Sequence, residues 1–162
     1  MARVLIGTDG SLLADQAAAR ALKLLGAASD VTIARVVPRR APAAIPAVGI
    51  APATTLEDEM LESSHQAALQ EAETDAAALA RHLGVTATTK VVEGDPGHEL
   101  CRLARDGDYD VVVVGSHGSG YLKRVLLGSG SHHVLHHAPC PVLIVRAADD
   151  GEDAAGEGTA ST

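Results

Sequence analysis

Val111-Val112-Val113-Val114-Gly115 is the stretch that decides the fold. Four consecutive β-branched residues leave no polar face, so the strand they form must be covered on both sides. That is the condition of a parallel sheet whose crossover helices lie on both faces. Val4-Leu5-Ile6, ending at Gly7, and Val142 to Val145, following Pro139-Cys140-Pro141, read the same way. Working outward, Val31 to Val37 and the weakly alternating Val85 to Val92 supply two more strands.

Helical segments separate these strands. Ala14 to Leu25 is rich in Ala and Leu and is stopped by Gly26. Thr54, with Glu57 three residues on, has the pattern of a capping box opening a long helix. Along that helix Leu56, Met60, Ala68, Leu69, Ala72, Ala76, Leu79, Ala80 and Leu83 line one face, and Gly84 ends it. Asp95-Pro96 predicts a helix start, with Asp as cap and Pro at the first helical position, running to about Arg105. A short helix from about Gly130 to His137 precedes the last strand. Four prolines between residues 38 and 53 forbid regular structure there and predict a long loop. Strand and helix alternate throughout, which predicts an α/β, doubly wound parallel sheet of five strands.

Composition narrows the function. The 162 residues suit one domain, with no Trp or Phe and only Tyr109 and Tyr121, so the core is built from Val, Leu, Ile and Ala. No run of about 18 apolar residues is present, so no membrane insertion is expected, and the N-terminus is too short before Val4 for a signal peptide. Cys101 and Cys140 read as reduced thiols of a cytoplasmic protein. A net charge of −8 with almost no aromatic residues argues against nucleic acid as a partner. Five of the 21 acidic residues fall in the last fourteen positions, without a basic residue among them. The expected organisation is a domain over residues 1–147 and a disordered acidic tail over 148–162.

In such sheets ligands bind beyond the carboxyl ends of the strands. Two segments stand there: Gly7-Thr8-Asp9-Gly10-Ser11, and Gly115-Ser116-His117-Gly118, continuing to Gly128-Ser129-Gly130-Ser131. Glycines let a backbone approach a ligand, and amides at a helix start bind anions, so the second segment reads as a phosphate cradle with Ser129 and Ser131 as added donors.

The pattern Gly115-x2-Gly118-x9-Gly128-Ser129 resembles the ATP-binding signature of the universal stress protein family. Val111 through Gly118, Ala138 through Val145, the Thr8-Asp9-Gly10-Ser11 turn and Gly94-Asp95-Pro96 are similar to that family almost position by position, over roughly residues 2–146. The resemblance implies a Rossmann-like fold of the adenine nucleotide alpha hydrolase type, with strand order 3-2-1-4-5. It implies that Thr8 and Asp9 meet the sugar end of the nucleotide, which a carboxylate suits because it accepts from hydroxyls and repels phosphate. It implies that the backbone of Val36 meets the adenine edge, and that Gly115, His117, Gly118, Gly128, Ser129, Gly130 and Ser131 surround ribose and phosphates. His117 stands where the family often carries Arg, removing a permanent charge, and Gly130 where it often carries a hydrophobic residue.

Other readings compete. No Gly-x4-Gly-Lys-Ser/Thr and no Gly-x-Gly-x-x-Gly after the first strand are present, which excludes a Walker-type site and disfavours dinucleotide binding. Asp9 reads equally simply as the N-cap of the first helix. His132, His133, His136 and His137 form two i, i+4 pairs, but no local carboxylate or Cys joins them, and no metal site is assigned. Lys123 and Arg124 can reach phosphate or lie in solvent. No nucleophile–base pair is visible, so no catalytic residue is assigned; slow ATP hydrolysis or self-phosphorylation on a Ser is the most that chemistry would allow. The expected function is that of an ATP-binding regulatory or stress protein, with Mg2+ or Mn2+ accompanying the phosphates. The alternative is a sensor or adaptor for AMP or cyclic AMP. The resemblance implies a homodimer through Val142–Val145, and an apolar edge strand without charges needs such cover.

Overall fold

The computed structural model describes residues 1–26, 30–39, 55–116 and 127–146. In chain order these form β1 (Arg3–Thr8), α1 (Leu12–Leu25), β2 (Asp30–Val37), α2 (Thr55–Leu83) and β3 (Ala87–Glu93), then α3 (Pro96–Asp106), β4 (Val111–Gly115), α4 (Ser129–His137) and β5 (Val142–Val145). The strands make one parallel sheet in the order β3-β2-β1-β4-β5. The proline-rich stretch from residue 40, Thr54 of the expected capping box, and the acidic tail lie outside the described residues.

The period of two along each strand divides the core into two halves. Val4, Ile6, Val31, Ile33 and Val113 face α1 and α2, where they meet Ala17, Ala18, Ala21, Ala76 and Leu79. Leu5, Ala34, Val112 and Val114 face α3 and α4, meeting Leu100, Leu103, Ala104 and Val134. Alanines at the helix contacts let α1 lie close to the sheet, which is how a core without Phe or Trp still closes. Tyr109 is buried in the second half. Cys101 and Cys140 pack there too as free thiols, and burial raises the pKa of both. That keeps them protonated and poor nucleophiles.

Two expectations need correction. The apolar face of α2 is not buried along its length: Ala72, Ala76 and Leu79 are in the core, whereas Met60 is 73% exposed. A 29-residue helix runs about 44 Å, against about 25 Å for the seven- and eight-residue strands beneath it. The N-terminal part of α2 therefore extends past the sheet. The third strand begins at Ala87 and not at Val85, because Gly84 takes φ +64 and the amide of Val85 returns to the Ala80 carbonyl. Among the described residues, no helix is long and apolar enough to cross a membrane.

Candidate functional site

The chain leaves β1 through α1 towards β2 and returns from β3 through α3 to β4. The carboxyl ends of neighbouring β1 and β4 therefore open away from each other, the position where a doubly wound sheet has room for a ligand. Register places Gly7 opposite Val114, so Thr8 and Asp9 emerge beside Gly115. On the other side Thr8 pairs with Arg35, which puts Val36 at the same edge of the sheet. Val36 is half-buried on the α3/α4 face.

The turn after β1 is held by its own side chains. Thr8 Oγ1 accepts from the Gly10 amide at 3.1 Å, and Asp9 Oδ1 from the Ser11 amide at 3.0 Å. Ser11, not Asp9, caps α1, its Oγ accepting from the Ala14 amide at 3.2 Å. The capping reading of Asp9 is thereby corrected. Asp9 makes an Asx-type turn with one oxygen and leaves the other, Oδ2, buried with no partner among the described residues. An unsatisfied buried carboxylate oxygen costs about 1–3 kcal/mol or more, so Oδ2 stands as an acceptor available to a donor beyond the described residues.

Across the crevice, the first turn of α4 is stapled to the end of β4. The Gly128 amide donates to the Ser116 carbonyl at 2.9 Å, and Ser131 Oγ donates to the Gly115 carbonyl at 2.6 Å. The Ser131 hydroxyl proton is thus committed within the protein, and what this residue can offer an anion is its backbone amide. Gly128 is the N-cap, in extended conformation, and no side chain caps the helix. Ser129 is exposed and Gly130 half-buried, its hypothetical Cβ only 3.5 Å from Pro96 Cβ, an ordinary contact. His117, Gly118, Lys123 and Arg124 lie outside the described residues.

The histidines of α4 form a stack. His133 lies edge-on to His98 of α3 at 4.1 Å between ring centroids and parallel to His137 at 4.2 Å. Desolvation, then His98 and His137, lower the pKa of His133, so it is neutral near pH 7. Gly97 makes the close approach possible, since a Cβ there would fall 2.5 Å from His133 Cβ. Among the described residues no group of three His, Cys, Asp or Glu side chains could hold a metal ion.

Sequence reasoning passed over a charged cluster behind the β1–α1 turn. Arg35 Nη2 lies 3.2 Å from Asp75 Oδ2 of α2, and Arg35 Nη1 is buried without a partner. Asp15 of α1 stands nearby, its pKa raised by burial and by Asp75 and Asp9, and opposed by His82 and Arg35. The signal was available: an arginine inside the strand Val31–Val37 is out of place unless it has a partner. A cavity of about 510 Å3 adjoins the ends of β2 and β3, lined by Pro38, Arg39, Glu93, Asp95, His98 and Glu99. It lies along the same edge of the sheet, to the side of the β1–β4 crevice.

Comparison with known proteins agrees with this architecture. Universal stress protein MJ0531 of Methanocaldococcus jannaschii is 32% identical over 145 residues, covering 89% of this chain and 81% of that protein. The solved structure of MJ0577, also of M. jannaschii, superposes with a TM-score of 0.72 at 25% identity, covering 91% of this chain and 96% of the other. A universal stress protein solved in complex with cAMP has a TM-score of 0.57 at 26% identity, covering 91% and 98%. The profile of the Universal stress protein family matches residues 1–146, and with the sheet order in agreement, the chain belongs to that family.

Proposed function

We propose that the chain binds an adenine nucleotide between the ends of β1 and β4 and acts in the cytoplasm as a nucleotide-dependent regulatory protein of the stress response. One observation carries the reading. Asp9 Oδ2 is a buried acceptor without a partner among the described residues, at the edge of the sheet where α4 begins without a side-chain cap. Sugar hydroxyls donate and phosphates accept, so an orphaned carboxylate oxygen beside a positively polarised helix start is the polar complement of a nucleotide. In this reading Thr8 and Asp9 take the sugar end, and Val36 offers its backbone to the adenine. Gly115 and Gly128 allow close approach, and the amides of Ser129, Gly130 and Ser131 face the phosphates. His117 and Gly118 complete the cradle by their spacing.

The preferred ligand is ATP with Mg2+ or Mn2+. Such an ion would be held mainly by phosphate oxygens and water. The relative solved with cAMP favours the second reading, an AMP or cyclic-AMP sensor acting through a protein partner. Intact-mass measurement of gently purified protein, followed by calorimetric titration with Mg-ATP, AMP, cAMP and adenosine, separates the two. Retained ATP and tightest binding of Mg-ATP are expected. Tighter cAMP binding moves the assignment to the sensor, and no heat with any of the four overturns both.

We also infer a homodimer through β5, which ends the sheet. A groove beside it is lined by Arg20, Leu24, Leu143 and Ile144, with Leu24 of α1 74% exposed. Val145 belongs to the core, so the informative variant is Leu24→Lys. Light scattering after size exclusion should find a wild-type dimer and a weakened one in the variant. A monomeric wild type at micromolar concentration refutes the dimer.

A further inference from the structure

We propose that Arg35 is a positioning residue for the nucleotide end of the site: it holds the β1–α1 turn against α2 and offsets the carboxylates gathered behind Asp9. This rests on the nucleotide reading above. No residue of the glycine-rich cradle is involved, and Arg35 lies on the α1/α2 face of the sheet.

The geometry begins with register. Arg35 pairs with Thr8, and the period of two directs it to the α1/α2 face, with Val31 and Ile33. From there its guanidinium spans to Asp75 of α2 and packs over Gly10. A Cβ added at Gly10 would fall on Arg35 Nη1, 2.8 Å from Arg35 Cζ and 2.7 Å from Asp75 Oδ2. Gly10 also takes φ +78, so the position is closed to side chains both by conformation and by space. The ion pair therefore rests directly on the backbone that follows Asp9. The Arg35 side chain is 16% exposed and that of Asp75 37%, so the pair is shielded from water on the arginine side and open on the carboxylate side.

The charges are unbalanced without it. Asp9 on the turn, Asp15 on α1 and Asp75 on α2 bring three carboxylates together, answered by Arg35 on β2 and by His82 on α2. Arg35 is the permanent cation among these groups. Three uncompensated carboxylates would repel each phosphate of an incoming nucleotide. They would also repel one another across the turn that carries Asp9. The two roles separate by ligand. Loss of positioning weakens adenosine and ATP equally, whereas loss of charge offset weakens ligands in the order of their negative charge.

The test uses the full chain with Arg35→Gln, Arg35→Lys and Asp75→Asn, each checked for native circular dichroism and titrated with adenosine, AMP and Mg-ATP at low and high salt. Arg35→Gln should weaken Mg-ATP about tenfold and adenosine no more than about threefold, with the gap shrinking at high salt. Arg35→Lys should restore most of the ATP affinity. Asp75→Asn removes a carboxylate and should move the ATP-to-adenosine ratio the opposite way, which keeps the proposal testable if Arg35→Gln does not fold. A carboxyl NMR titration adds a readout free of ligand: Asp15 should titrate at higher pH in Arg35→Gln and return towards wild type in Arg35→Lys. Equal losses for all three ligands without rescue by Lys, or an unchanged Asp15 titration, would overturn the charge offset and leave a merely structural bridge. If wild type binds none of the ligands, the nucleotide reading fails and takes the role towards phosphate with it. The Asp15 titration then upholds or sinks the charge offset alone.

Discussion

Helices α3 and α4 lie side by side on one face of the sheet, and both begin at its carboxyl edge, yet their first turns are built oppositely. α3 is closed: Asp95 accepts from the His98 amide at 3.0 Å, Pro96 follows, and Glu99 adds negative charge to the first turn. α4 is open: Gly128 offers no side chain and no acidic residue follows it. Glycine in place of a capping side chain costs a few tenths of a kcal/mol, and an acidic first turn would add about 0.3–1 kcal/mol of favourable interaction with the helix dipole. One helix has its donors satisfied by its own sequence. The other leaves them to something else, and the packing at Gly97 and His133 ties the two together.

The sharpest way to break this contrast is to give α4 the cap that α3 has. Gly128→Asp should abolish Mg-ATP binding, by about a hundredfold or more, while raising Tm by about 1–4 °C for a gain of about 0.5–1 kcal/mol from the cap and the helix dipole together. Gly128 sits at φ −67 and ψ 154, a conformation open to any residue, so the variant should fold. Calorimetry showing wild-type affinity in Gly128→Asp or Gly128→Val would remove the phosphate assignment. Next in size, Asp9→Ala should weaken ATP and adenosine alike, by about tenfold, because the lost hydrogen bond is to the sugar end and involves a charged acceptor. A loss confined to ATP would instead put Asp9 at the metal or the phosphates.

The reverse experiment removes the cap of α3. Asp95→Ala should cost about 1 kcal/mol in denaturant unfolding and leave the affinity for ATP unchanged, which would separate a stabilising helix start from a binding one. Equal loss of binding would mean that the two helices act as one unit. The smallest effect concerns pH. The pKa of His133 is lowered in the folded protein, so its neutral form is favoured there and protonation favours the unfolded chain. Its contribution is complete above the ordinary value of 6.5 and is lost as pH falls below it. His98→Gln removes the neighbouring ring whose charge, after desolvation, does most to lower the pKa of His133, and should flatten the decline in Tm between about pH 7 and pH 5.5. An identical slope in wild type and variant would exclude the His98–His133 contact as its source.

Much of the site could be read from residue order because its parts are local. The α3 cap was legible in Asp95-Pro96, since a cap and its amide are three residues apart. Asp9 was legible as a candidate, but its role against that of Ser11 was not. Both are cap-forming residue types, and only the backbone angles decide which one reaches the amide two or three residues on. Ser131 was legible as a donor at a helix start, but not that its hydroxyl would be spent on Gly115, sixteen residues earlier. Arg35 and Asp75 were invisible as a pair because forty residues separate them and neither belongs to a spacing pattern.

Sequence alone therefore determined the elements and their two-sided burial. Runs such as Val111–Val114 have no polar face to present to water, and a parallel doubly wound sheet is the arrangement that hides both sides. Tertiary structure decided what depends on distance between segments remote in the chain: how far α2 outruns the sheet, which oxygen of Asp9 is left without a partner, and which cation stands behind it. Hydrophobic periodicity is a property of neighbours in sequence, whereas a hydrogen bond or an ion pair of about 3 Å exists only after the sheet has aligned its strands.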